Sequence, residues 1–185
     1  MSASINHESS KFDTDFEEHS SCFLPELNWL EGLFSQIEFG DLNAKAPTNQ
    51  VKNFVMQTFL DHGWKSHVLT DQRLPDELSL ANYIVDFQKI FSHSGCDHKH
   101  QIVLELAFDN RQSIGTNFLK VDFANRMFKT SQERVSVSVL AVLKHSAKIL
   151  GRWDGSSGTF DEYSLASRRV YSDVIKTTVL LLALS

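Results

Sequence analysis

Tyr83-Ile84-Val85-Asp86-Phe87 and Ile102-Val103-Leu104-Glu105-Leu106-Ala107-Phe108 are two apolar runs, each interrupted by one carboxylate. Their β-branched and aromatic content, with a polar stretch between, reads as two central strands over residues 82–91 and 101–108. A charge inside such a run is costly to bury unless it is partnered. Neighbouring antiparallel strands lie about 5 Å apart, so both carboxylates can reach one divalent cation. Alternation puts Ile84, Asp86 and Gln88 on one face, and Val103, Glu105 and Ala107 together on a face of the next strand. Asp86 and Glu105 can therefore share a side. The plainer alternative is a pair of strand-end acids, solvated or paired with Lys89, Lys99 or Arg111, and spacing alone leaves both open.

Outward from these strands the periodicity changes. Pro25 suits the first turn of a helix reaching about Ile37, with Leu27, Leu30, Leu33 and Phe34 as its apolar stripe. A second helix runs from about Gln50 to Asp61, with Val51, Phe54, Val55 and Phe59 on one face and Gly63 as its stop. Residues 64–70 read as a strand and 70–75 as a turn. Thr116 suits the cap of a helix over 117–129, with Leu119, Phe123 and Met127 facing inward. A valine-rich strand over 134–144, a Gly/Ser-rich loop over 151–159, an amphipathic helix near 161–174 and a strand over 177–184 complete the chain. The order ααβββαβαβ predicts one α/β domain over 21–185, a mixed sheet with helices on both faces. Residues 1–20 are polar and acidic and read as a mobile tail.

At 185 residues the chain is long enough for one sizeable core, and its 14 Phe against 3 Tyr predict that aromatic rings fill it. No apolar leader is visible near the start, and the run Val179–Leu184 is too short to span a bilayer. Cys22 and Cys96 give no disulfide framework, which predicts a reducing cytoplasm. The net charge of −5 argues mildly against a protein that coats DNA non-specifically, but not against an enzyme with cations gathered in one cleft.

Gly63-Trp64, then Val85-Asp86-Phe87, then Glu105-Leu106-Ala107-Phe108-Asp109-Asn110 resembles, in order and context, type II restriction endonucleases of the BglII/BstYI kind. These belong to the PD-(D/E)XK nuclease superfamily. The resemblance covers roughly residues 50–145. It implies a restriction-endonuclease-like α/β fold and Mg²⁺-dependent hydrolysis of double-stranded DNA at a short palindromic site by a homodimer. By position, Asp86 and Glu105 would be metal ligands and Leu106 would lend its carbonyl. Asp71 reads as a turn residue, with an outer acidic role as the alternative. The third motif position, usually Lys and sometimes Glu or Gln, is Ala107, which can neither polarise a water nor steady a metal. Gln88 on the aspartate strand and Lys120 on the following helix are the candidates to replace it, each with a structural role as the alternative.

Asn110, Arg111, Gln112, Ser113, Thr116 and Asn117 leave the glutamate strand and enter the next helix. Asn, Gln and Arg suit base edges, while Ser, Thr and helix N-terminal amides suit phosphates. Lys148, Arg152, Trp153, Arg168 and Arg169 form a second candidate face around the Gly/Ser loop, which can order on DNA. His93, Cys96, Asp97, His98 and His100 compete for a metal, but Cys-x-His-x-His matches no common zinc module and reads as a solvated loop. Two other functions stay open: a catalytically impaired DNA-binding relative, suggested by Ala107, and a zinc-binding interaction module built on the His/Cys loop.

Overall fold

A computed structural model describes residues 4–6, 14–42, 45–69, 84–108, 110–132 and 135–185. The elements are β1 (Ser4–Asn6), α1 (Thr14–Phe34), α2 (Pro47–Asp61), β2 (Lys65–Leu69), β3 (Ile84–Phe91), β4 (His100–Leu106), α3 (Ile114–Gln132), β5 (Val135–Leu143), α4 (His145–Leu150), α5 (Phe160–Arg169) and β6 (Val179–Leu184). Asp71, Tyr83 and Asp109 lie outside the described residues.

The strands form one mixed sheet in the order β1-β6-β5-β4-β3-β2. β2, β3 and β4 run as an antiparallel meander, whereas β4, β5 and β6 are parallel and are joined by helical crossovers. Every residue of β4, β5 and β6 is buried. These runs are apolar almost throughout because both faces of the sheet are covered. α1 and α2 cover one face with Leu27, Leu30, Phe34, Val55 and Phe59 against Phe87, Leu104 and Val139. α3 and α5 cover the other, where Phe118, Val121 and Tyr163 meet Leu140, Val142 and Leu181. Phe59 anchors the first layer, stacked on Phe87 at 4.3 Å and edge-on to Trp29 and Trp64.

Several expectations need correction. α1 begins at Thr14, so Pro25 is a helix-interior residue on the exposed side rather than a starter. The helix tolerates it because Phe23, Leu27 and Leu30 on either side are clamped in the core. Ser4–Asn6 pairs with Leu181–Ala183 at the sheet edge, inside the stretch that reads as a tail. Backbone hydrogen bonds make that pairing, which an apolar pattern does not register. Cys22 and Cys96 are bonded to each other, with Cα atoms 6.3 Å apart, so the cysteines no longer argue for a reducing compartment. Phe54 and Leu119 are exposed although both lie on stripes that read as apolar. α3 instead turns Phe118, Val121, Asp122, Ala124 and Asn125 inward. Asp122 Oδ1 accepts from the Lys176 amide and the Thr177 hydroxyl, each at 2.9 Å, and Asn125 reaches Ser136 and Ser138 of β5. Hydrogen bonds made by buried polar side chains thus set the helix phase. Thr116 is inside α3; Asn110 caps the preceding 3-10 turn, its side chain accepting from the Gln112 amide at 2.8 Å. No helix among the described residues is long and apolar enough to cross a membrane.

Candidate active site

β3 and β4 exchange ladder contacts up to Phe87 and Leu104, and there the ladder gives way. The Asp86 amide donates to Glu105 Oε2 at 3.1 Å, and the Leu106 amide donates to Asp86 Oδ2 at 2.9 Å. Each carboxylate has taken over an N–H that continued pairing would have used, so the strands fork around the two acids. Alternation breaks at the same point: Val85 packs with Val103 and Ala124, whereas Phe87 packs on Phe59 across the sheet. On the other side of Asp86, His67 of β2 lies between the pairs Ser66–Phe87 and Val68–Val85 and has φ of 51°. A non-glycine residue in the left-handed region costs energy, and such outliers concentrate at functional sites.

The electrostatics are balanced by two lysines. Lys52 Nζ on α2 sits 3.0 Å from Asp86 Oδ1, and Lys120 Nζ on α3 pairs with Glu105 Oε1. Glu105 is nearly buried, and its pKa is pushed up to about 7, first by burial and then by the Asp86 charge, with Lys120 acting in the opposite direction. Two adjacent carboxylates, held in place by cations from two helices, are hard oxygen donors suited to a divalent cation such as Mg²⁺. The Leu106 carbonyl accepts from the Phe108 amide at 3.0 Å and keeps its second lone pair.

No family model and no curated protein matches this sequence. Among solved structures, the chain is similar to the crystal structure of restriction endonuclease BglII complexed with a DNA 16-mer. The TM-score is 0.52 at 12% identity, over 74% of this chain and 55% of that one. The fold is restriction-endonuclease-like. This chain spans little more than half the length of the solved structure it matches.

Within that fold the remaining candidates separate. Gln88 is buried and donates to Gln101 Oε1 at 3.0 Å, and Gln101 in turn donates to Ser136, so its amide serves a polar ladder in the core. Ala107 is fully buried against Phe118 and Val121. Asn117 is buried and donates to the Tyr163 hydroxyl at 2.8 Å, away from the surface where its sequence position suggested a DNA contact. Asn110, Gln112 and Thr116 are exposed and Ser113 half-buried. Arg111 pairs with Glu162, whose carboxylate also accepts from the amide and hydroxyl of Thr159 at the start of α5. Burial alone would raise the Glu162 pKa, but those bonds and the Arg111 charge hold it below the usual range. This capping box anchors the Arg111 loop. Thr159→Ala is expected to cost about 1 kcal/mol, seen as a lower urea midpoint at unchanged slope.

The Gly/Ser loop is already tied down. Lys148 is buried and donates to the carbonyls of Gly155 and Ser157 at 2.8 and 2.6 Å, and Trp153 is buried with its indole N–H on Thr48 Oγ1 at 3.0 Å. Neither is available as a DNA-facing side chain. Arg152 stays exposed and, with Lys45, Thr48, Asn49 and Phe108, lines an open groove of about 430 Å³.

Lys52 is the site residue that the sequence does not reveal. It is the only basic residue of α2, but its partner is 34 positions away.

Proposed function

We propose that this chain is a Mg²⁺-dependent endodeoxyribonuclease of restriction type, hydrolysing phosphodiester bonds in double-stranded DNA at a short palindromic site as a homodimer. The observation that carries this reading is the fork: Asp86 and Glu105 hold the open end of β3 and β4 apart, each with a lysine on its outer oxygen. The likeness in fold to a restriction endonuclease on DNA supports the substrate class. The motif order around Asp86 and Glu105 supports the metal, and a two-fold protein on a two-fold site accounts for the dimer.

In this reading Asp86, Glu105 and the Leu106 carbonyl hold the cation, which when bound lowers the pKa of a water and neutralises charge on phosphorus. The chain's own groups do the positioning. The amides of Asp86 and Leu106 fix the carboxylate rotamers. Lys120 favours the ionised form of Glu105 that burial opposes, and it supplies the cation that Ala107 cannot. Lys52, one-third exposed, offers its ammonium to the scissile phosphate. Asn110, Arg111, Gln112, Ser113, Thr116 and Arg152 face the duplex around this centre.

Plasmid DNA incubated with the purified chain and Mg²⁺ should yield discrete fragments, and EDTA should prevent them. Buried Ala107 favours one competing reading, a DNA-binding relative without chemistry. Retarded but intact DNA in both lanes would establish that reading instead.

A further inference from the structure

A second cluster of donors lies at the opposite end of the same strands. His19 and Cys22 are three residues apart on α1 and so share a helix face, while Cys96 and His100 flank the end of the β3–β4 connection. One donor atom from each of His19, Cys22 and His100 lies within 4.8 Å of the other two, and Cys96 Sγ is bonded to Cys22 Sγ. His100 is fully buried, and neither ring nitrogen meets a hydrogen-bond partner at normal geometry, although the His98 backbone is near enough to favour a proton slightly. Leaving such a group unsatisfied costs about 1–3 kcal/mol, a penalty that a ligand on the nitrogen would remove. The rings of His98 and His100 stand 5.3 and 5.8 Å from that of His19.

We propose that, once the Cys22–Cys96 bond is reduced, His19, Cys22, Cys96 and His100 bind one zinc ion. Two thiolates and two imidazoles are the donor set that selects zinc over magnesium. In a tetrahedral site with Zn–S near 2.3 Å and Zn–N near 2.0 Å, donors sit roughly 3.3–3.8 Å apart, so the His19, Cys22 and His100 donors, now within 4.8 Å, need to close by about 1 Å while the Cys22 and Cys96 sulfurs part on reduction. Burial and the neighbouring imidazoles of His19, His98 and His93 hold the His100 pKa down, leaving its ring in the neutral form that coordinates metal. The chemistry balances with a dithiol as reductant. It gives two electrons and two protons to the Cys22–Cys96 bond and leaves as its own disulfide; zinc then displaces the two thiol protons to water. α1 and the β3–β4 connection are crosslinked in either state, by a covalent bond or by the metal. Glu105 lies five positions beyond His100 along β4, about 17 Å of strand, so this centre is distinct from the carboxylate pair.

The test uses the full chain, reduced with a dithiol that is then removed without air, and titrated with Co²⁺ as a spectroscopic substitute for zinc. The reduced chain should take up one Co²⁺ with thiolate charge-transfer and tetrahedral d–d absorption, and the oxidised chain should show neither. Cys22→Ser and Cys96→Ser should lose charge-transfer intensity. His19→Ala, at a partly exposed position that the fold tolerates, should weaken binding by at least about tenfold. Asp86→Asn should leave the spectrum unchanged. No cobalt uptake by the reduced chain, equal uptake by the oxidised chain, or an undiminished affinity in His19→Ala would overturn the assignment.

Discussion

Asp86→Asn is expected to lower Mg²⁺-dependent cleavage of duplex DNA by on the order of 10³-fold while leaving DNA retardation in gels intact. Asparagine keeps the shape and can still accept from the Leu106 amide, so the fork survives. What it loses is the charge that would hold a divalent cation in the proposed site, whose stabilisation of the transition state is worth several kcal/mol, and about 1.4 kcal/mol is tenfold in rate. Lys52 would also lose its ionic partner, a small effect because that side chain is one-third exposed. Single-turnover cleavage with saturating enzyme separates the chemical step from binding. Cleavage at the parent rate by this variant would remove Asp86 from the site altogether.

Glu105→Gln is expected to abolish cleavage as well, and at pH 8 without metal it should make the protein more stable, by up to about 3 kcal/mol. The Glu105 carboxyl titrates near pH 7 in the folded chain, against 4.5 ordinarily, chiefly because burial and then the Asp86 charge disfavour ionisation. Between these values the native state holds a proton that the unfolded chain has released, so stability falls as pH rises. The contribution is fully present below pH 4.5 and lost above about pH 7. At about 1.36 kcal/mol per pH unit the gap corresponds to about 3 kcal/mol. Glutamine resembles the neutral acid and does not titrate, so the urea stability curves of variant and parent should converge near pH 4 and separate toward pH 8. A variant less stable than the parent at pH 8 would mean that the Lys120 ion pair outweighs both burial and the Asp86 repulsion.

Asp86 and Glu105 are legible in the sequence because a charge inside an apolar run breaks a pattern that hydrophobicity otherwise makes regular. The parallel strands β5 and β6 are legible for the converse reason, since burial on both faces leaves an uninterrupted apolar run. α3 is misread because its inner face carries Asn117, Asp122 and Asn125, whose burial rests on specific hydrogen-bond partners in β5, α5 and the loop preceding β6. Periodicity counts such residues as outward. Lys52 and the Cys22–Cys96 pair depend on contacts over 34 and 74 residues of chain, which only tertiary packing creates. His100 reads as part of a solvated loop because it follows a polar stretch, yet it opens β4 and packs against Phe23 and Phe91.

With Glu105 ionised, as it is above about pH 7, the fork carries two negative and two positive side chains, close to neutral in sum. A divalent cation arriving alone would leave this largely buried site with two excess positive charges, which burial makes expensive. The phosphates flanking a scissile bond return the balance toward zero. In the proposed site metal and DNA would therefore favour each other's presence, and by thermodynamic linkage each would raise the affinity of the other by the same factor. On that proposal the two lysines would act, in effect, as a threshold that free Mg²⁺ meets alone only at a penalty and that the assembled metal–DNA complex passes.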